Sequence, residues 1–275
     1  MNIPTVRMPS GESVPALGQG TWNMGEDPAL RREEIGSLRA GLDLGLRLID
    51  TAEMYSEGRT ETLVGEAIAG RRDEVFLVSK VYPHNASRKA MRAACGNSLK
   101  RLKTDRIDLY LLHWGGSVPL AETVEAFASL QRDGLIRHWG VSNLDTDDMN
   151  GLWALPGGHA VQTDQVLYNL MRRGIEWDLL PWLREHRIPT MAYSPIEQGR
   201  LAQQRPLTQF ASRHGMTPAQ AALAWLLAQD GVIAIPHTAS AARLADTLEA
   251  LPPPLHVRPP AVLAQRRPPP PATPP

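Results

Sequence analysis

The chain of 275 residues is long enough for one large domain or two small ones, and its 43% hydrophobic content is ample for a buried core. Lys plus Arg and Asp plus Glu each number 29, and the basic doublets Arg31-Arg32, Arg71-Arg72 and Lys100-Arg101 are scattered, which argues against a nucleic-acid or anionic-membrane partner. No apolar run approaches the roughly 18 residues of a membrane span and the N-terminus lacks a charged head followed by an apolar core, so a cytoplasmic protein is expected.

In chain order, TVRMPSGESVPALG alternates around a Ser10-Gly11 turn and predicts a short N-terminal β-hairpin. Apolar, β-branched runs then recur at 17–20, 46–50, 75–80, 107–113, 136–143, 160–168, 189–195 and 232–236. Segments with helical spacing alternate with them, around 33–44, 60–69, 88–102, 120–132, 145–153, 176–186, 217–229 and 240–250. Eight βα units with near-continuous apolar strands predict an α/β fold of the closed (β/α)8 TIM-barrel type, a single domain over 1–250 whose lower mouth the hairpin is placed to plug. Cys95, the only cysteine, shares a helical face with Met91, Leu99 and Leu102 and reads as a core position. From 251 to 275 the chain carries eleven of its 24 prolines, which excludes helix and central strand and predicts an atypical Pro-rich tail, extended or disordered.

Barrel enzymes build their sites at the C-terminal ends of the strands. Here those ends carry chemistry: Asp50 with Tyr55 just beyond it, Lys80, His113, Ser142-Asn143, Gln165 and Tyr193-Ser194. Singly, each has a structural reading as a cap, a packed ring or a satisfied core imidazole; in a barrel, Asp50, Lys80 and His113 converge on one mouth with Tyr55 on the intervening loop. A phenol has an ordinary pKa of about 10 and needs a neighbouring cation to give up its proton near neutrality. Lys80 can supply the cation, Asp50 its countercharge, and His113 can polarise a carbonyl oxygen. No side chain supplies a hydride, so carbonyl reduction requires a nicotinamide, which Ser142, Asn143 and Gln165 could hold by its carboxamide while Tyr193 stacks on the ring.

The linked motifs GLRLIDTAEMYSEG, VFLVSK, DLYLLHW, IRHWGVSNL, QVLYNL, MAYSP and VIAIPHTASAARL resemble the aldo-keto reductase family from about residue 18 to 251, and phrases such as QGTWNMGED and SKVYPHN are most similar to bacterial members that reduce methylglyoxal. The resemblance implies a catalytic tetrad of Asp50, Tyr55, Lys80 and His113, with Tyr55 as general acid and Lys80 lowering its pKa. It also implies Ser142, Asn143, Gln165, Tyr193 and Ser194 at the nicotinamide end of NADP(H), bound without a Rossmann fold. GQGTWN has Asn23 where a dinucleotide fingerprint requires glycine. His237-Thr238 replaces the family's Lys-Ser at the 2′-phosphate while Arg243 matches, so NADP(H) is favoured over NAD(H). The tail matches neither the family's last helix nor its pocket-closing loop. Trp22, Tyr82 and Trp114 follow strand ends and are expected to line a narrow apolar slot for a small carbonyl substrate. A monomer is expected.

Three rival readings compete. G-x-S in WGVSNL has Leu144 where a hydrolase elbow needs its second glycine. His84, His113 and His138 do not form a metal cluster by spacing. A non-catalytic NADP(H)-binding module of the same fold is the remaining alternative, against which the intact tetrad argues.

Overall fold

The computed structural model describes residues 3–237. The expectations for Thr238, Arg243, a helix at 240–250 and the Pro-rich tail lie outside the described residues. Strands β1 (Thr5–Arg7) and β2 (Ser13–Pro15) pair antiparallel about the Ser10-Gly11 turn as a hairpin. Eight parallel strands come next, in sequential order: β3 (Gln19–Gly20), β4 (Leu48–Asp50), β5 (Phe76–Val81), β6 (Ile107–Leu112), β7 (Ile136–Ser142), β8 (Asp164–Leu167), β9 (Thr190–Tyr193) and β10 (Val232–Ala234).

The sheet closes on itself. Leu17 bridges Ala234 and Gly20 bridges His237, both parallel, with Gly18 N donating to Ala234 O and Gly20 N to Pro236 O at 2.9 Å each. Closure demands close approach at one point: a Cβ on Gly20 would lie 2.7 Å from Ile235 O. The expected (β/α)8 barrel is therefore the fold observed.

Period-two alternation sorts the strand residues between two cores. Leu48, Phe76, Val78, Leu109, Leu111, Met191, Ile233 and Ile235 fill the barrel interior, and Met8 and Val14 of the hairpin join them, so the hairpin does plug this end. Glu12 fixes it there by accepting from Arg137 at 2.8 Å and contacting His138 Nε2 at 2.8 Å. The opposite parity, including Ile49, Leu77, Tyr110, Leu112, Trp139 and Val141, packs outward against the helices.

The helices are α1 (Arg31–Asp43), α2 (Arg59–Ala67), α3 (Arg88–Leu102), α4 (Leu120–Arg132), α5 (Thr146–Trp153), α6 (Leu179–Glu185), α7 (Arg205–Arg213) and α8 (Pro218–Leu227). Their starts are set by local chemistry. Asp145 with Asp148 and Thr217 with Gln220 form capping boxes that satisfy otherwise orphaned amides at α5 and α8. Asp178 accepts from Leu179 N, which starts α6 three residues later than the apolar spacing suggests. Helix α7 is not among the expected segments; Pro206 in its first turn and the buried pair Leu207 and Ala211 are the signals that mark it. Cys95 is buried in α3 as expected, and burial pushes its thiol up to about 12, which makes it inert.

Candidate functional site

The inward parity that fills the barrel with Leu48, Val78, Leu111 and Met191 continues toward the C-terminal mouth as Asp50, Lys80, His113 and Tyr193. The register pairs Asp50 with Val78, Lys80 with Leu111, and Ser142 with Gln165. Strand geometry alone therefore delivers these polar side chains to one rim. Tyr55 arrives differently, at the start of a tight turn (Tyr55–Gly58) in which Ser56 and Glu57 both take left-handed backbone angles, φ 47° and 55°. Two successive non-glycine residues in that region are strained, and the turn is held by Ser56 Oγ and Thr60 Oγ1 donating to Met24 O at 3.3 and 2.6 Å.

Lys80 is the hub. Its fully buried ammonium donates to Asp50 Oδ2 at 2.8 Å, Thr51 O at 2.9 Å and Tyr55 Oη at 3.0 Å, which uses all three of its hydrogens. Burial works to strip the charge from Lys80, but Asp50 and then Tyr55 outweigh it and hold its pKa above the ordinary value. At neutral pH it is a cation. Asp50 is anchored in turn: Thr21 donates to its backbone carbonyl through Oγ1 at 2.8 Å, and Gln165 Nε2 donates to its Oδ1 at 2.7 Å.

At the Tyr55 phenol the expected lowering by Lys80 is present but outweighed. Lys80 does favour its phenolate, but burial is the larger effect and Asp50 adds to it, so the pKa is raised overall and not lowered. The resting group is a protonated acid. His113 stacks edge-on to Tyr55 with ring centroids 5.9 Å apart. Burial, and then the Lys80 charge, push its pKa down to about 3, so it is a neutral imidazole across the physiological range. Its Nδ1 is buried without a hydrogen-bond partner, which favours the tautomer with the proton on Nε2, one able to donate a hydrogen bond.

Beside this group, Ser142, Asn143, Gln165 and Tyr193 form one connected set. Ser142 Oγ donates to Gln165 O at 2.7 Å, Asn143 Nδ2 donates to Ser142 Oγ at 3.0 Å and to His113 O at 3.2 Å, and Tyr193 Oη donates to Asn143 Oδ1 at 2.9 Å. Because His113 O and Asp50 Oδ1 can only accept, both amides are oriented: nitrogen inward for Asn143 and for Gln165. Ser194 comes next at φ 49°, its carbonyl accepting from Asn169 Nδ2 at 2.9 Å.

The remaining expected residues are less tightly grouped. Tyr82 and Trp114 meet edge to face at 5.8 Å, and Trp114 packs against His113 at 4.9 Å, so two of the three aromatic residues form one wall. Trp22 is 43% exposed and makes no ring contact with the other two among the described residues. His237 is exposed at the β3–β10 seam. Reading the sequence missed the backbone carbonyl of Thr51 and the hydroxyl of Thr21. Neither contact has a sequence signal beyond its adjacency to Asp50 and to Gly20.

The arrangement can donate a proton from Tyr55, stabilise the anion left behind, and hydrogen-bond an acceptor from His113. The model of the aldo/keto reductase family matches residues 16–256. Methylglyoxal reductase YeaE of Escherichia coli is 54% identical over 237 residues, covering 84% of each chain. Methylglyoxal reductase DkgA of the same organism is 32% identical, covering 90% of this chain and 88% of its own. Among solved structures, an aldo/keto reductase from Klebsiella pneumoniae in complex with NADP and acetate superposes with a TM-score of 0.91 at 50% identity, covering 95% of this chain and 94% of that one. A Klebsiella pneumoniae aldo-keto reductase in complex with NADPH gives 0.88 at 52%, covering 91% and 90%. The chain belongs to the aldo/keto reductase family.

Proposed function

We propose that the protein reduces small aldehydes and ketoaldehydes of the methylglyoxal type to alcohols with NADPH. The observation that carries the reading is Lys80 Nζ bonded at once to Asp50 Oδ2 and Tyr55 Oη, at 2.8 and 3.0 Å, beside a neutral His113. Tyr55 is the general acid: its raised pKa keeps the phenol protonated until a carbonyl oxygen takes the proton. Lys80 stabilises the phenolate left behind and Asp50 keeps Lys80 charged. His113 orients and polarises the substrate oxygen by a hydrogen bond, and solvent returns the proton to Tyr55.

The donor set suits a nicotinamide. A hydroxyl, two oriented amides and a phenol ring on neighbouring strand ends match a carboxamide on a flat ring, with Ser142, Asn143, Gln165 and Ser194 around the carboxamide and Tyr193 against the ring face. The cofactor, when bound, supplies the hydride. His237, Thr238 and Arg243 take the adenosine 2′-phosphate, so NADP(H) is used in preference to NAD(H); the NADP and NADPH complexes of the Klebsiella proteins support this. Trp22, Tyr82 and Trp114 contact the substrate. Among the described residues no helix is long and apolar enough to cross a membrane. The reading extends to a cytoplasmic monomer with a small carbonyl substrate and no nucleic-acid or membrane partner.

The test is consumption of NADPH and, separately, NADH by purified protein with methylglyoxal, glyoxal and an aromatic aldehyde. Oxidation of NADPH with lower efficiency for NADH is expected. Tight binding of NADPH with no oxidation by any carbonyl would favour the binding-module alternative.

A further inference from the structure

Glu53 lies two residues before Tyr55 and belongs to none of the groups described above. Its Oε1 accepts from Tyr82 N at 2.7 Å and from Asn85 Nδ2 at 3.1 Å, while its own backbone N–H donates to Lys80 O at 3.3 Å. One carboxylate oxygen thus joins the turn that carries Tyr55 to the segment after β5, whose short helical turn (Pro83–Asn85) comes directly after Tyr82.

That segment supports the aromatic wall. Tyr82 stacks on His84 with centroids 4.8 Å apart and meets Trp114 edge to face, and Trp114 in turn packs against His113. The segment also presses on the loop after β6, because a Cβ on Gly116 would lie 2.5 Å from Pro83 Cβ. A backbone amide and a side-chain amide fastened to one anion hold a loop more firmly than packing alone, since charge-assisted hydrogen bonds are the stronger kind.

We infer that Glu53 is a positioning residue that sets the Tyr82–Trp114 wall of the substrate pocket, and so governs which carbonyl compounds are accepted while leaving proton transfer untouched. This rests on the carbonyl-reductase reading. An acceptor oxygen is needed at this length. Glutamine keeps an oxygen for the Tyr82 amide; aspartate, one methylene shorter, withdraws it.

The experiment compares wild type with Glu53→Ala, Glu53→Gln and Glu53→Asp, using NADPH with methylglyoxal and with 4-nitrobenzaldehyde. It adds 19F NMR of protein labelled with 5-fluorotryptophan, the Trp114 signal being assigned from Trp114→Phe. Glu53→Ala is expected to raise KM for the aromatic aldehyde about fivefold to tenfold, with kcat within about twofold and NADPH affinity unchanged. The Trp114 resonance should shift or broaden, and Glu53→Gln should restore both. If Glu53→Ala does not fold, Glu53→Asp carries the same expectation. A Trp114 resonance unmoved in the variant, or kcat falling in step with kcat/KM for both substrates, overturns the inference. A wild type that reduces neither aldehyde, while the Trp114 resonance still responds to Glu53, sinks the reductase reading and leaves the positioning role standing.

Discussion

Lys80 Nζ lies 3.0 Å from Tyr55 Oη and 4.7 Å from the centroid of the same ring, so the ammonium meets the phenol at its hydroxyl. The contact supplies the only cation bonded to that hydroxyl among the described residues. It exists because β5 and the turn after β4 are brought together by the barrel, 25 residues apart in sequence.

The Asp50–Lys80 pair is nearly inaccessible to solvent, 3% and 0% exposed in its side chains, so breaking it is costly while replacing both partners is not. Asp50→Asn is expected to lower stability by about 3–5 kcal/mol and to drop the Lys80 pKa, because the largest effect opposing burial is then gone and Tyr55 alone remains against it. Adding Lys80→Met should recover part of that loss without restoring activity. Chemical denaturation of the single and double variants measures the first effect, and NADPH oxidation the second.

His113 titrates differently in the two states. Its folded pKa of about 3 lies below the unfolded value of about 6.5, so the unfolded chain binds the extra proton between them and stability falls as pH drops through that window. From pH 7 to pH 5 this one residue is expected to cost about 2 kcal/mol. His113→Gln should remove that share of the slope, read as a flatter plot of unfolding free energy against pH. On the proposed mechanism the same low pKa gives the wild type no acidic limb near pH 6.5 from His113 in kcat/KM.

Tyr193 and Asn143 are linked by one hydrogen bond to the amide oxygen next to the proposed nicotinamide position, while Ser142 Oγ and His113 O hold the amide nitrogen. Tyr193→Phe keeps the ring and releases only the amide oxygen. NADPH affinity is expected to weaken about fivefold, and Tyr193→Ala, which also removes the ring, to weaken it further. Fluorescence titration of NADPH with the two variants separates orientation from stacking.

Closure of the barrel depends on the bare Cα of Gly20. Gly20→Ala places a methyl carbon 2.7 Å from a backbone carbonyl that cannot rotate away, so a loss of about 1–3 kcal/mol is expected, measured by thermal or denaturant unfolding.

Much of the barrel and its rim is legible in the residues alone, for reasons that particular positions make plain. The inward parity of Leu48 and Asp50, or of Val78 and Lys80, comes from a two-residue period. Strand ends can therefore be read as a rim once eight strands are counted. Helix α7 escapes such a reading because its apolar face is short, Leu207 and Ala211 amid polar neighbours, and its proline reads equally well as a loop signal. The net direction of the Tyr55 pKa escapes it because burial is a sum over the whole surroundings, whereas the Lys80 effect is a single named contact. Glu53 escapes it because half of what it binds is backbone, and a backbone amide has no letter in the sequence.

Proton donation by Tyr55 stands or falls on NADPH oxidation with methylglyoxal in wild type and Tyr55→Phe, with NADPH affinity measured in parallel. At least a ~100-fold loss of kcat is expected, with the affinity for NADPH intact. A Tyr55→Phe enzyme that turns over at the wild-type rate would show that the proton comes from elsewhere.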